Sequence, residues 1–297
     1  MSQWDTKASP YLFVSPYFIL FAIFGLFPLG YTFWVSLHDW PLLGEHTYVG
    51  LQNYRDLMAD DYFRNALVNT LGMFVLATVP QILLALALAA LLDRNLRMRT
   101  FWRLGILLPT VTSVAAVGII FSMIFSRDTG VINFLLDQVG VNDRINWKAD
   151  KWSSWLAIST MVDWRWTGYN ALILLAALQA VPRDLYEAAE VDGASKFRQF
   201  WSITIPMLRP TLIFVVIIAT IGGIQLFTEP LLFNSGAGAM QGGTTRQFQT
   251  AAMYLIENGF TRLEYGYASA IAWLLFAVIA VVSAINLLLL RRIRGAD

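Results

Sequence analysis

Six apolar runs, each long enough to cross a bilayer, leave this chain few ways to fold. They extend roughly from Leu12 to Leu37, Phe63 to Leu92, Leu104 to Phe125, Trp152 to Ala180, Ile205 to Phe233 and Tyr265 to Leu290. A transmembrane helix needs about 20 mostly apolar residues, whereas a barrel strand needs about ten with alternating polarity. The runs here are continuous, and a helix satisfies its own backbone groups in lipid. The expected fold is therefore all-α and integral to the membrane, with six transmembrane helices in a single domain over residues 1–297. At 57% hydrophobic and 14% charged residues, the chain is too apolar for an ordinary water-soluble core. The first run exceeds the apolar core of a signal peptide and no clear small-residue cleavage site follows it, so it is expected to be retained.

Six spans put both termini on one side, and basic residues divide the connections into two groups. The N-terminus, residues 93–103, residues 181–209 and the C-terminal tail hold 12 of the 21 Lys and Arg. The opposite connections are longer in total but hold 8, and Arg165 lies inside a span. The positive-inside rule then makes the first group, and both termini, cytoplasmic. A net charge of +1 gives no reason to expect nucleic acid as a partner. The absence of cysteine excludes disulfides and thiol chemistry.

Between the fourth and fifth runs lies a polar, helix-forming stretch, Tyr186-Glu187-Ala188-Ala189-Glu190-Val191-Asp192-Gly193. Asp184 stands where a carboxylate complements a helix N-terminus. Gly193 permits a reversal that a side chain would resist, and Pro206 suits the start of the next helix. The expected structure is a helix-turn-helix bracket on the membrane surface. An ordinary amphipathic loop lying on the headgroups is the competing reading. In order and spacing the stretch matches the EAA motif: Glu187-Ala188-Ala189, three residues, Gly193, nine residues, then Ile203-Thr204-Ile205-Pro206, with Ile205 in the place of Leu.

On this motif the chain resembles the membrane subunits of binding-protein-dependent ABC importers, and in particular the maltose-type carbohydrate permeases. Pro28-Leu29, Ser36-Leu37 and Val49-Gly50-Leu51-Gln52-Asn53-Tyr54 add weaker support to the resemblance. It implies a type I importer permease fold in a bacterial plasma membrane. Residues 182–206 would then form a cytoplasmic coupling segment seated in a cleft of an ATPase subunit. Glu187, Ala188, Ala189 and Gly193 occupy motif positions, and Tyr186 and Asp192 are inferred from adjacency. The implied partners are a second permease subunit in a heterodimer, two ATP-binding ATPase subunits and an extracytoplasmic solute-binding protein. The implied solute is a sugar, of the oligosaccharide class.

Polar residues inside spans mark candidate solute contacts, because ionisable groups in lipid are costly and usually face a bundle interior. In the fourth run, Asp163, Trp166 and Asn170 share one helical face and Arg165 shares another with Tyr169. Aromatic faces beside amides and carboxylates suit a sugar ring; a charge-satisfied helix contact within an aromatic belt is the alternative. In the fifth run, Gln225 and Glu229 stand one turn apart, with Gly222-Gly223 and Pro230 weakening the helix. That points either to a discontinuous helix at a transport site or to a bend that lifts Glu229 to the outer interface. The Gly-rich connection Ser235 to Thr245 is expected to be mobile. No Gly-x-x-x-x-Gly-Lys-Ser/Thr loop is present, so no cofactor is expected and ATP hydrolysis is assigned to a partner; this chain is not expected to be an enzyme. His38 and His46 complete no recognised metal-ligand spacing. Two readings remain as rivals: an ABC permease for a non-sugar solute, and a proton-coupled secondary transporter using Asp163 and Glu229.

Overall fold

The computed structural model describes residues 3–94, 97–141, 143–234, 236 and 238–294, without side chains for 3–10 and 289–294. Lys7, Arg291, Arg292 and Arg294 of the charge argument therefore lie outside the described side chains, as do Ser235 and Ala237 of the Gly-rich connection. The described chain is almost entirely helical, with one two-stranded antiparallel ribbon, and separates into two compact units.

The first unit comprises residues 1–60 and 255–274. Helix α1 (Gln3–Phe21) runs through one π-turn into α2 (Phe27–Ser36). The strongly apolar window within Tyr11–Ser36 is 0% buried in the chain, so its Phe, Tyr and Leu side chains require lipid or another subunit as their solvent. Beyond α2, β1 (His38–Asp39) pairs with β2 (Thr47–Tyr48), and α3 (Gln52–Ala59) follows. The Val49-to-Tyr54 segment ties this corner together. Asn53 Nδ2 donates to the carbonyls of Ser36 and His38, both at 2.9 Å, and the Tyr54 hydroxyl meets Ser36 Oγ at 2.7 Å. His38 and His46 serve as rings here: His46 stacks on Trp40 at 3.8 Å, and His38 Nδ1 lies 2.7 Å from the Trp34 carbonyl.

The second unit comprises residues 61–254 and 275–297. Its axis is the packing of α4 (Asp61–Asp93) against α8 (Lys151–Gln179). Helices in lipid gain nothing from mutual hydrophobicity and associate through close packing of small residues. Ala85, Ala89 and Ala171 accordingly sit fully buried where these helices meet α11 (Ile205–Ile224). Toward the other end of α8, Met73, Ile158, Met161 and Trp155 form a second core, against which Ile132 and Leu136 of α7 (Val131–Gln138) pack. Gly72 is required there, because a Cβ would fall 2.0 Å from the Trp155 ring. Residues 247–250 thread into this core. Asn69 Nδ2 donates to the Arg246 and Gln249 carbonyls, both at 2.9 Å, and the Ala251 N–H donates to Thr70 Oγ1 at 2.9 Å.

Two expectations need correction, and the count of six spans is not matched exactly. The run Leu104 to Phe125 is not one straight span: α5 (Arg99–Val111) and α6 (Val114–Ile124) meet at 89°. Pro109 removes a helical donor near the end of α5, and Thr112 and Ser113 are extended, with ψ of 141° and 126°. Four described helices are long and apolar enough to cross a membrane, or five if this bent pair counts as one. Helix α8 has the length, 29 residues, but Asp163, Arg165 and the polar residues around them make it less apolar than the others. Finally, the described part of the Gly-rich connection is folded. A Cβ on Gly242 would meet the Gln249 nitrogen at 2.1 Å, and Thr245 donates to Gln247 Oε1 at 2.9 Å.

Where α5 crosses α8, Gly168 lies so near that a Cβ would fall 1.7 Å from the Ile106 carbonyl oxygen. Gly168→Leu is expected to lower stability by about 1–3 kcal/mol through overpacking, read as a fall in the thermal unfolding midpoint of the detergent-solubilised chain. Gly105→Ala, whose Cβ meets nothing within 4 Å, should leave that midpoint unchanged or raise it.

Candidate functional site

A break in one helix and a polar turn in another open a cavity of about 380 Å³ inside the second unit. Helix α11 ends at Ile224, and α12 (Thr228–Phe233) begins only after three residues, with Phe227 at φ −135°, ψ −54°. Pro230 cannot donate to the Leu226 carbonyl four residues back, and Gly222-Gly223 lowers helix propensity before the break. Gln225 and Glu229 therefore do not share a continuous helix face, as their spacing had suggested. They reach the same cavity from either side of the interruption.

From α8 the cavity receives Val162, Arg165, Trp166, Tyr169 and Asn170, a stripe of helical spacing. Trp166 and Tyr169 meet edge to face with ring centroids 6.2 Å apart and remain 38% and 42% exposed. Asn170 Nδ2 donates to Gln81 Oε1 of α4 at 2.9 Å in a buried contact. Across the cavity, Arg165 Nη1 donates to Glu229 Oε1 at 2.5 Å, with only 12% and 9% of the two side chains exposed. The guanidinium also lies over the Trp166 ring, 5.4 Å from its centroid.

Five of the six candidate solute contacts thus line one space: Trp166, Tyr169, Asn170, Gln225 and Glu229. Asp163 does not. It lies one position round the helix from the lining stripe, and its Oδ1 is buried without a hydrogen-bond partner among the described residues. Arg165, placed by spacing on the Tyr169 face, lines the cavity too, and Gln81 and Thr78 of α4 complete the polar wall without having been singled out. A glutamine beside Pro80, within the mostly apolar residues 71–92, was a usable signal for Gln81. The opposite charges of Arg165 and Glu229 in neighbouring spans were a signal for their pairing.

The second candidate region is the surface bracket. Helix α9 (Asp184–Val191) ends in a paired closure: Ala194 N–H donates to the Ala189 carbonyl at 2.8 Å and Gly193 N–H to the Glu190 carbonyl at 3.0 Å. This is the Schellman arrangement, which calls for a left-handed residue, and Gly193 supplies it at φ +75°. Ser195 Oγ accepts from the Arg198 N–H at 3.3 Å and so caps the short helix α10 (Lys196–Gln199). The Tyr186 hydroxyl lies 2.9 Å from Thr204 Oγ1, tying α9 to the π-turn that leads into α11. Lys196 hydrogen-bonds Glu190 and holds its carboxyl below the usual range. Glu187, Ala188, Asp192 and Gly193 are exposed. So are Val191 at 89% and Phe197 at 74%, apolar side chains held out from this hydrogen-bonded frame.

Residues 81–295 match the family model described as binding-protein-dependent transport system inner membrane component. The arabinooligosaccharides transport system permease protein of Bacillus subtilis (strain 168) is 35% identical over 98% of this chain and 91% of its own. The lactose transport system permease protein of Rhizobium radiobacter is 36% identical over 92% of this chain and 91% of its own. Among solved structures, the bacterial alginate ABC transporter in complex with alginate pentasaccharide-bound periplasmic protein superposes with a TM-score of 0.80 at 21% identity, covering 98% of each chain.

A buried ion pair broken on one side leaves an uncompensated charge at a cost of about 3–5 kcal/mol, while replacing both partners by apolar residues is often close to neutral. Arg165→Leu alone should therefore destabilise the chain strongly. Arg165→Leu combined with Glu229→Leu should recover most of the loss. Denaturation of all four species of the cycle checks this, and additive losses would show that the two side chains act independently.

Proposed function

The chain belongs to the binding-protein-dependent transport system inner membrane components, and from that membership we propose that it is one permease subunit of an ATP-driven importer for an oligosaccharide. The observation that carries the solute class is the composition of the 380 Å³ cavity. Trp166 and Tyr169 offer ring faces to the apolar C–H faces of a sugar. Asn170, Gln81 and Gln225 offer amides to its hydroxyls. Arg165 and Glu229 neutralise each other, so the space presents strong donors and acceptors without a net charge that would demand an ionic solute. The relatives named for arabinooligosaccharides and lactose support the same class.

A rigid bracket suits a subunit that moves with its partner. Glu187, Ala188, Ala189 and Gly193, with Tyr186 and Asp192 beside them, are proposed to seat in an ATPase subunit on the cytoplasmic side. The basic connections support that orientation. The Tyr186–Thr204 contact and the continuous path into α11 would carry a displacement of the bracket toward the break at Gln225 as a rigid-body motion. The remaining partners are a second permease subunit, a second ATPase and an extracytoplasmic binding protein that delivers the sugar. The alginate transporter is known in complex with an alginate pentasaccharide-bound periplasmic protein. Residues 1–297 act as one permease domain in the plasma membrane, with residues 182–206 as its coupling segment and both termini cytoplasmic. Proton coupling through Asp163 and Glu229 is disfavoured, since Glu229 already shares its carboxylate with Arg165 and Asp163 does not reach the cavity.

Two measurements on the reconstituted importer test this reading. Asn170→Ala strips Gln81 of a buried partner, a loss of about 1–3 kcal/mol. It and Trp166→Ala should reduce sugar uptake from several-fold to about a hundredfold at normal assembly. Trp164→Ala, on the same helix but outside the cavity lining, should not. Unchanged uptake in both cavity variants would remove the cavity from the solute path.

In the bracket, Gly193→Val places a β-branched residue at φ +75°, costing about 1–2 kcal/mol locally. It should uncouple ATP hydrolysis from uptake or weaken ATPase attachment, as should Glu187→Lys. Gly193→Asn, which tolerates the left-handed region, should retain coupling. Full solute-stimulated hydrolysis in Gly193→Val and Glu187→Lys would refute the assignment of the bracket.

A further inference from the structure

A second cavity, of about 1010 Å³, lies against the bracket and is far more highly charged than the first. Three segments distant in sequence bring cations to it: Arg94 after the end of α4 with Arg99 and Arg103 at the start of α5, Arg183 from the turn after α8, and Lys196 from α10. Five cations face three carboxylates, those of Asp93, Glu187 and Glu190. Lys196 is engaged with Glu190. Arg94 and Arg183 form no ion pair among the described residues, and Arg103 Nε is buried without a hydrogen-bond partner there. Gathering like charges around a space is unfavourable unless an anion shares it, and a guanidinium fork matches phosphate oxygens in geometry.

The flank of the cavity distinguishes one source of phosphate from another. Along α5, Arg99 and Arg103 are one turn apart on the cavity side, while Phe101, Trp102, Leu104 and Leu108 stay 60%, 51%, 62% and 64% exposed. Exposed aromatic side chains beside clustered arginines mark the level of the headgroups, and basic pockets at that level recognise anionic lipid. We propose that this cavity is a lipid site: the phosphodiester headgroup of an anionic phospholipid sits among Arg94, Arg103 and Arg183, and its acyl chains run along the apolar face of α5. A bound headgroup would bridge the connection before α5 to the turn that leads into α9, and so would hold the bracket in place without touching the sugar cavity.

The full-length chain, extracted from vesicles of equal parts phosphatidylglycerol and phosphatidylcholine, can be assayed for co-purifying lipid. Phosphatidylglycerol should be retained selectively. Each arginine near an anionic headgroup contributes about a fivefold factor, so Arg94→Gln with Arg183→Gln should weaken retention roughly thirtyfold. Arg94→Lys with Arg183→Lys, which keeps the charge but not the fork, should retain less than the parent and more than the double glutamine variant, and Arg127→Gln, an exposed arginine outside this cavity, should match the parent chain. Both tested arginines are exposed, and an unchanged helical circular dichroism spectrum confirms that folding is preserved. Equal retention by the double glutamine variant overturns the proposal. Protection of the chain by inorganic phosphate with no lipid retained would assign the cavity to a free anion and overturn the lipid assignment. Expulsion of the lipid on assembly with the ATPase subunits would give the basic cluster to a protein interface, again against the proposal. Since uptake is not measured, failure here leaves the sugar reading untouched.

Discussion

Lipid offers no hydrogen bonds, and the Arg165–Glu229 pair is where that constraint bears hardest on this fold. An arginine in the middle of α8 needs a counter-charge held close and shielded from the bilayer. Glu229 supplies one only because the chain leaves helix at Gln225 and re-enters it at Thr228. The break, the ion pair and the cavity are therefore one feature. Were α11 continuous to Phe233, residues 225 and 229 would be stacked one turn apart on a single helix, instead of entering the same space from either side of a gap.

The same economy governs the packing around the site. With no hydrophobic force between helices in lipid, α4, α8 and α5 approach through Gly72, Gly168 and a ladder of alanines. Bulk is concentrated where Trp155 fills the space beside Gly72. That close approach leaves the polar stripe of α8 directed at α4, where Gln81 meets Asn170. On the other side of the molecule's chemistry, the bracket achieves rigidity without burial. Its shape rests on backbone closure at Gly193, a serine cap and one tyrosine hydroxyl, so its apolar side chains are left free for another surface.

Several misreadings trace to the same cause. A hydropathy pattern registers that a stretch is apolar but not whether it bends, and the 89° turn between α5 and α6 follows from Pro109 together with two extended residues. Grouping Asp163 with Trp166 and Asn170 relied on ideal periodicity. The stripe that lines the cavity is centred one residue away, because the neighbouring helices, not α8 alone, decide which arc is walled and which is open. The Gly-rich connection looked loose because glycine is permissive; Gly242 and Gly243 instead allow backbone and Gln247 to pass at distances that a Cβ would forbid.

What the amino-acid sequence determined by itself was everything local or additive. Apolar run length dictated a helical membrane protein, the spacing around Glu187 and Gly193 dictated the bracket and carried the resemblance to the family, and Trp166, Tyr169, Asn170, Gln225 and Glu229 were marked as out of place in lipid. Only the tertiary structure decided which of these meet. Pairing Arg165 with Glu229 joins residues 64 apart, and Asn170 with Gln81 joins residues 89 apart. Such contacts depend on where helices cross and where one breaks, and those are set jointly by all the packed side chains, not by any single segment.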